Sequence, residues 1–248
     1  MHAISEAVIL MAGEGSRLRD SDKSILKPVA PVLGRPLISY TLETLTCAGI
    51  KAVRFVVGYE SKRMIAQVKR LIPSGLSASF IENRDWQKQN GISLLVAAGD
   101  VGARFLLTMS DHIFDRVIMG RLLDSLDPGF LNVAVDRKLG SIFDLQDAMK
   151  IRTRGDRVIG IGKDLADYDA IDIGLFVCPV EIFGYLERAK SESCRNDCSL
   201  ADGIRLMAGD DKVRAIDIGG AWWQDVDTPE MLQHAERQMA EGMRSAVT

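Results

Sequence analysis

At 248 residues, 47% of them apolar and 26% charged, the chain is long enough to bury the core of one large α/β domain. Its 31 basic and 34 acidic residues give a formal net charge of −3, and no Lys/Arg run resembles a nucleic-acid or lipid footprint. The apolar stretch at residues 7–12 is too short for a membrane span and lacks the layout of a signal peptide, so a cytoplasmic protein is expected.

Residues 7–11, Ala-Val-Ile-Leu-Met, form a continuous apolar run, as expected of a strand buried on both faces. A helix is predicted over 36–47, with Leu37, Ile38, Leu42 and Leu45 at helical spacing, Pro36 in the first turn and Gly49 past the end. Strand 53–57, helix 61–71, strand 77–82, short helix 91–98, strand 104–109, helix 117–126 and strand 132–136 follow. This alternation predicts a Rossmann-like, mostly parallel central sheet with helices on both faces. Residues 147–174 break the rhythm with two short strands about the Arg154-Gly155-Asp156 turn. With a further strand at 170–177, they predict a small antiparallel β addition laid against the main sheet. A last helix starts after Asp227-Thr228-Pro229, where Asp or Thr caps and Pro takes the first turn. With no repeat, low-complexity stretch or linker, residues 1–248 are expected to form a single domain. Cys47, Cys178, Cys194 and Cys198 form no CxxC pair, and His2, His112 and His234 lie far from Cys194 and Cys198 in sequence. Free thiols in a reducing compartment are expected rather than a zinc site.

Directly after the first strand comes Met11-Ala12-Gly13-Glu14-Gly15-Ser16-Arg17-Leu18. Glycines at 13 and 15 allow positive φ and close approach, so successive backbone N–H groups can line an anion. The Arg17 guanidinium is placed to clamp phosphate oxygens in a bidentate way. Position 18 is Leu rather than the third glycine of a dinucleotide-binding loop, and no acidic residue closes the second strand, where Val57 is followed by Gly58-Tyr59. A Walker loop is excluded because no Gly-Lys-Ser/Thr follows at the required spacing.

AVILMAGEGSRL followed by KPVAPVLGRPLI, beginning at Lys27, resembles the N-terminal signature of the nucleotidyltransferases that make sugar nucleotides and CDP-alcohols. The resemblance implies a nucleotide-diphospho-sugar transferase fold. It also implies that the Ala12, Gly13, Gly15 and Ser16 loop wraps a triphosphate whose charge Arg17 and Lys27 neutralise. Asn90-Gly91-Ile92-Ser93-Leu94 resembles the NGxSL stretch of the family's cytidylyltransferases, which places Asn90, Gly91 and Ser93 near the nucleotide. Asp111 follows a buried strand, where ligands gather in open α/β sheets, and the resemblance makes it a magnesium ligand. Asp136 follows another apolar strand and is a substrate-side candidate, with an ordinary surface turn the alternative.

The family has a lysine matching Lys163 that meets the acceptor's phosphate, then a DxG strand in which Asp172 meets acceptor hydroxyls. Trp222-Trp223-Gln224-Asp225-Val226-Asp227-Thr228-Pro229-Glu230 resembles the family's C-terminal DVDTPE motif. Either Asp225 or Asp227 supplies the second metal carboxylate, Asp225 being slightly preferred. Together these motifs resemble the inositol-1-phosphate cytidylyltransferase branch most. The chain departs from it at Leu26 for Pro, Ser110 for Gly and Ile173 for Thr.

The resemblance therefore implies an Mg2+-dependent transfer of a nucleoside monophosphate, CMP from CTP in the favoured case, to a small phosphorylated alcohol such as inositol 1-phosphate, releasing pyrophosphate. A phosphate monoester is already an oxyanion near neutral pH, so no general base is needed. Arg17, Lys27 and Lys163 are the expected catalytic cations. Residues 1–140 are expected to bind mainly the NTP and 141–248 mainly the acceptor. Sugar-1-phosphate or phosphocholine-type acceptors with another NTP are the alternative, and a non-catalytic nucleotide-sugar sensor stands behind them. Many relatives are fused to a membrane-embedded CDP-alcohol phosphatidyltransferase. With no transmembrane stretch before Thr248, that step is expected from a separate protein. No nucleic-acid partner is expected, and a homodimer is left open.

Overall fold

The computed structural model describes residues 4–19 and 25–245; His2 and Thr248 lie outside the described residues. Strand β1 (Glu6–Met11) leads through the glycine loop into the single-turn helix α1 (Ser16–Arg19), and a 3-10 turn at Lys27–Val29 precedes the short strands β2 (Pro31–Val32) and β3 (Arg35–Pro36). Helix α2 (Leu37–Cys47), β4 (Ala52–Val57), α3 (Ser61–Val68), β5 (Ser77–Glu82) and α4 (Asn90–Leu95) follow, then β6 (Arg104–Met109), β7 (His112–Phe114), α5 (Arg116–Ser125) and β8 (Leu131–Asp136). The remainder comprises β9 (Lys150–Arg154), β10 (Arg157–Gly162), β11 (Ala170–Pro179), α6 (Ile182–Glu192), α7 (Leu200–Gly209), β12 (Val213–Asp217), β13 (Trp223–Asp225) and α8 (Pro229–Ser245).

Among the described residues the main sheet has nine strands in the order β5-β4-β1-β6-β11-β8-β12-β10-β9. β5, β4, β1 and β6 run parallel, as does the β8–β12 pair. The remaining pairings are antiparallel, so the α/β class holds with a mixed sheet. β9 and β10 form the expected small antiparallel part at the far edge of the sheet, but the strand expected at 170–177 does not belong to such an addition. β11 runs through the middle of the sheet, between β6 and β8. Nine of its ten positions are buried, because AIDIGLFVCP is apolar on both faces and such a strand is stable only in a sheet interior.

Helices α2, α3 and α5 bury Ile38, Leu42, Leu45, Met64, Val68, Ile118, Met119 and Leu122 on one face of the sheet. Helices α4, α6 and α7 cover the other through Leu94, Ile182, Leu186, Ile204 and Met207. α7 opens on a capping box in which the Ser199 side chain accepts from the Asp202 N–H and Asp202 accepts from the Ser199 N–H, satisfying two end donors. No helix among the described residues is long and apolar enough to cross a membrane.

Above the C-terminal ends of β1 and β6 sits a second, two-stranded antiparallel sheet, in which Trp223 pairs Phe114, Gln224 pairs Ile113 and Asp225 pairs His112. The Val226 N–H donates to the Asp111 carbonyl at 2.9 Å. This ladder brings the C-terminal acidic motif to the end of β6, more than a hundred residues earlier in the chain.

Candidate active site

Lys27 is the centre of the site. Its buried ammonium donates to Asp111 Oδ2 at 2.5 Å and also to Asp227 Oδ1. Gly15, at φ +64°, closes over it: a Cβ there would lie 2.7 Å from the Lys27 Cβ and 2.9 Å from its Cδ. Only glycine lets the loop approach this closely and turn through the left-handed region. Arg17 reaches out from α1 to Asp227 Oδ2 at 2.6 Å and to Asp147 Oδ2 at 3.0 Å.

The carboxylates are unequal. Burial pushes the Asp111 carboxyl up, but Lys27 and the His112 ring outweigh it and hold it well below the usual carboxylate range. His112 Nδ1 lies 2.6 Å from Asp111 Oδ1, and its ring is stacked near Trp223 with centroids 6.2 Å apart. Burial lowers the His112 imidazolium, yet Asp111 and Asp225 more than compensate and raise it. Burial raises Asp225; His112 opposes the rise, and the charges of Asp227 and Asp111 reinforce it. The region thus concentrates three carboxylates around the Lys27 ammonium, the Arg17 guanidinium and the His112 ring.

Hard carboxylate oxygens suit magnesium, which is commonly held by one or two of them together with substrate phosphates. Among the described residues no three His, Cys, Asp or Glu side chains form a ready-made metal cage. Asp111 and Asp227, meeting on one ammonium, give a two-carboxylate set of the kind the ion takes. Asp225 stands one register step from them, beside His112.

Two adjoining cavities flank this cluster. One, of 360 Å³, is lined by Ala12, Gly13, Gly15, Ser16, Arg17, Lys27, Ser93 and Asp111. The other, of 490 Å³, is lined by Asp136, Asp147, Lys163, Asp172, Asp225 and the 141–149 segment, with His234 and Gln238 from α8. Asn90, Met109, His112 and Asp227 belong to both walls.

Most of the sequence-predicted residues therefore meet. Gly91 does not: it borders neither cavity, and a Cβ there would lie 2.6 Å from the Cys198 carbonyl. Its structural role is close packing of α4 on the entry to α7. Asn90 borders both cavities while its Oδ1 accepts from the Leu200 N–H at 2.8 Å, tying the two helices together. Ser93 Oγ accepts from Asn83 Nδ2 at 3.0 Å. Asp136 is buried rather than a surface turn; it accepts from the Lys138 N–H and Nζ and from Trp223 Nε1 at 2.7, 2.8 and 2.9 Å. Asp172 lies on the larger cavity, its Oδ1 accepting from the Gly174 N–H at 2.8 Å; burial raises its carboxyl to about 7 despite that bond and His112.

Sequence reasoning missed Asp147, which accepts from Lys163 Nζ at 2.5 Å as well as from Arg17. It also missed the positioning part of Trp223, whereas His112, which the sequence offers as either orienting Asp111 or simply packing, does lie against that carboxylate. An Asp in a polar turn carries no local signal of its partners. The apolar pattern around Trp222-Trp223 was the one hint available. All four cysteines are free, Cys178 and Cys198 buried and Cys47 and Cys194 exposed.

Residues 7–150 match the family described as the MobA-like NTP transferase domain. The chain is 35% identical over 235 residues to a bifunctional IPC transferase and DIPP synthase of Rubrobacter xylanophilus, covering 94% of this chain and 51% of the relative. It is 31% identical over 237 residues to the protein of the same description in Aquifex aeolicus, covering 95% and 52% respectively. The chain thus spans about half the length of these curated relatives. Among solved structures, the inositol-1-phosphate CTP transferase from T. maritima superposes with a TM-score of 0.85 at 23% identity, covering 96% of each chain, a likeness of fold.

Proposed function

The chain belongs to the MobA-like NTP transferase family, and from that premise we propose that it transfers CMP from CTP to inositol 1-phosphate, releasing pyrophosphate. The observation that carries the proposal is the pair of adjoining cavities with a common wall at His112 and Asp227. One offers a glycine loop, Arg17 and Lys27 to a triphosphate. The other offers Lys163 to a phosphate and Asp172 to hydroxyls. That division supports the assignment of NTP binding mainly to residues 1–140 and of the acceptor mainly to 141–248. Asn90, Met109 and Asp227 line both cavities, which supports a reading in which the two halves adjoin.

In the reaction an oxygen of the acceptor phosphate forms a bond to the α-phosphorus of CTP, and the bond from that phosphorus to the oxygen bridging to the β-phosphate breaks. The electron pair leaves on pyrophosphate. No proton needs removal from the attacking oxygen, which is already an anion. The work left to the protein is alignment and neutralisation of charge. Arg17 and Lys27 meet the leaving phosphates, and Lys163 holds the acceptor against repulsion from them. Magnesium, held by Asp111 with Asp227 or Asp225, would supply further neutralisation at the α-phosphate. Asp136 supports the acceptor wall through Lys138 and Trp223.

The cytoplasmic location expected from the sequence belongs to the same proposal. The relatives' names pair an IPC transferase with a DIPP synthase, so an enzyme consuming the CDP-alcohol is the partner expected downstream.

Pyrophosphate release from purified protein with magnesium, crossing four NTPs against inositol 1-phosphate, glucose 1-phosphate and phosphocholine, tests the proposal. Release confined to CTP with inositol 1-phosphate is the expected result. Release with another pair would move the specificity to the sugar-phosphate or phosphocholine alternative. Silence throughout, with CTP still bound, would favour a nucleotide sensor.

A further inference from the structure

Asp147 bridges Arg17 and Lys163, the cations assigned above to the donor and acceptor phosphates. Its Oδ2 accepts from Arg17 on the donor side at 3.0 Å, and its Oδ1 accepts from Lys163 on the acceptor side at 2.5 Å. The base of its segment is anchored by the buried Lys150, whose Nζ donates to the carbonyls of Gln146, Ala148 and Lys163 at 2.9, 3.4 and 2.7 Å. That clamp keeps Asp147 and Lys163 side by side. Further along, Phe143 stacks on His234 of α8 with ring centroids 4.5 Å apart, so the segment crosses the acceptor cavity and is held at both ends. Between these anchors the Asp147 contacts are half-exposed, with side-chain exposures of 55% for Arg17, 39% for Asp147 and 49% for Lys163. Exposed pairs of this kind are individually weak and readily exchanged.

A carboxylate held between a guanidinium and an ammonium presents its two oxygens much as a phosphate would. We propose that Asp147 is a placeholder carboxylate that occupies the meeting point of the donor and acceptor phosphate sites and couples their filling. The proposal rests on the transferase reading above for the identity of the two sites. A triphosphate arriving at Arg17 brings negative charge against Asp147 and drives it off both cations at once. Lys163 is then free for the acceptor phosphate. The first ligand to bind bears the cost of displacing Asp147, and the second binds without it. The coupling is reciprocal, whichever ligand comes first.

The test measures binding by calorimetry, using α,β-methylene-CTP, which cannot release pyrophosphate, and inositol 1-phosphate. Each is titrated alone and in the presence of the other, with the wild type, Asp147→Asn and Asp147→Glu. Asp147→Asn is expected to bind each ligand alone about two- to fivefold more tightly, the size set by one exposed ion pair. With the other ligand already bound, the variant's advantage is expected to vanish, so the coupling factor falls by the same amount. Asp147→Glu, which restores the charge, is expected to return the wild-type pattern. Unchanged or weaker binding of single ligands by Asp147→Asn would overturn the proposal, as would an advantage that persists with both ligands present. Turnover of CTP with inositol 1-phosphate is followed on the same protein. Binding with coupling but no turnover would sink the transferase reading alone, and turnover without any change in coupling would sink this one alone.

Discussion

Lys27 is held at the junction of Asp111 and Asp227, and burial alone would discharge it; the two carboxylates reverse that tendency and raise its pKa. Its removal therefore has two consequences that can be separated. Lys27→Met leaves Asp111 and Asp227 facing each other without the ammonium between them, Arg17 and His112 remaining as their other partners, at a cost of about 1–3 kcal/mol in urea unfolding, with the fold retained. Pyrophosphate release is expected to fall by about 10²–10³, the usual loss when one electrostatic partner of a transition state is deleted. Full activity in this variant would show that the glycine loop and Arg17 suffice. Lys27 and Asp111 are legible in the sequence because the loop, the strand end and their order along the chain form one long pattern. Asp147 is not, since its two cationic partners come from positions 17 and 163 and nothing local marks the meeting. Gly91 is the opposite case: it lies inside a recognisable motif, yet it packs against Cys198 and borders neither cavity.

At the level of elements, the site depends on a very short ladder. β7 and β13 pair over three residues each, and this ladder, with the Val226 N–H bond to the Asp111 carbonyl, sets the C-terminal acidic motif beside the end of β6. The His112 ring above that ladder is seated against Gly174, where β11 turns through φ +72°, and a Cβ at that position would lie 2.5 Å from His112 Nε2. Gly174→Ala combines an unfavourable φ with a displaced imidazole, and is expected to cost about 1–3 kcal/mol by urea unfolding. Activity should fall by more than stability explains at a temperature where the variant is fully folded, because His112 holds Asp111. An active, equally stable variant would mean that the ring has room to move. Strand ranges such as 77–82 and 104–109 were readable to the residue from period and composition. The place of β11 was not: an apolar run of ten announces burial on both faces without naming its neighbours. α6, α7 and β12 went unread, though the capping box at Ser199 and Asp202 was there to be found.

For the molecule as a whole, Asp172 on the wall of the larger cavity gives a stability signature. Burial raises the Asp172 carboxyl to about 7 in the folded chain, against about 4 when unfolded. Between those values the folded state holds a proton that the unfolded state has released, so stability falls as pH rises through the window. Asp172→Asn removes this dependence while keeping an oxygen for the Gly174 N–H. Its melting temperature should exceed that of the wild type at pH 8 and converge with it below pH about 4, while acceptor binding weakens. Equal melting temperatures at pH 8 would place the carboxyl in the ordinary range.

The course of β11 also bears on how the chain is made. Residues 131–136 of β8 do not pair with β6; both strands pair instead with residues 170–179, which are synthesised later. When the ribosome has released residues 7–150, the span of the family match, β6 lacks one neighbour and β8 lacks both, since β11 and β12 lie later in the chain. The nascent chain must keep these apolar strand edges from pairing with each other, or with another chain, until the missing strands arrive. Completion of the sheet therefore waits on residues 170–179 and 213–217, and a product stalled before them carries unpaired apolar strand edges open to aggregation.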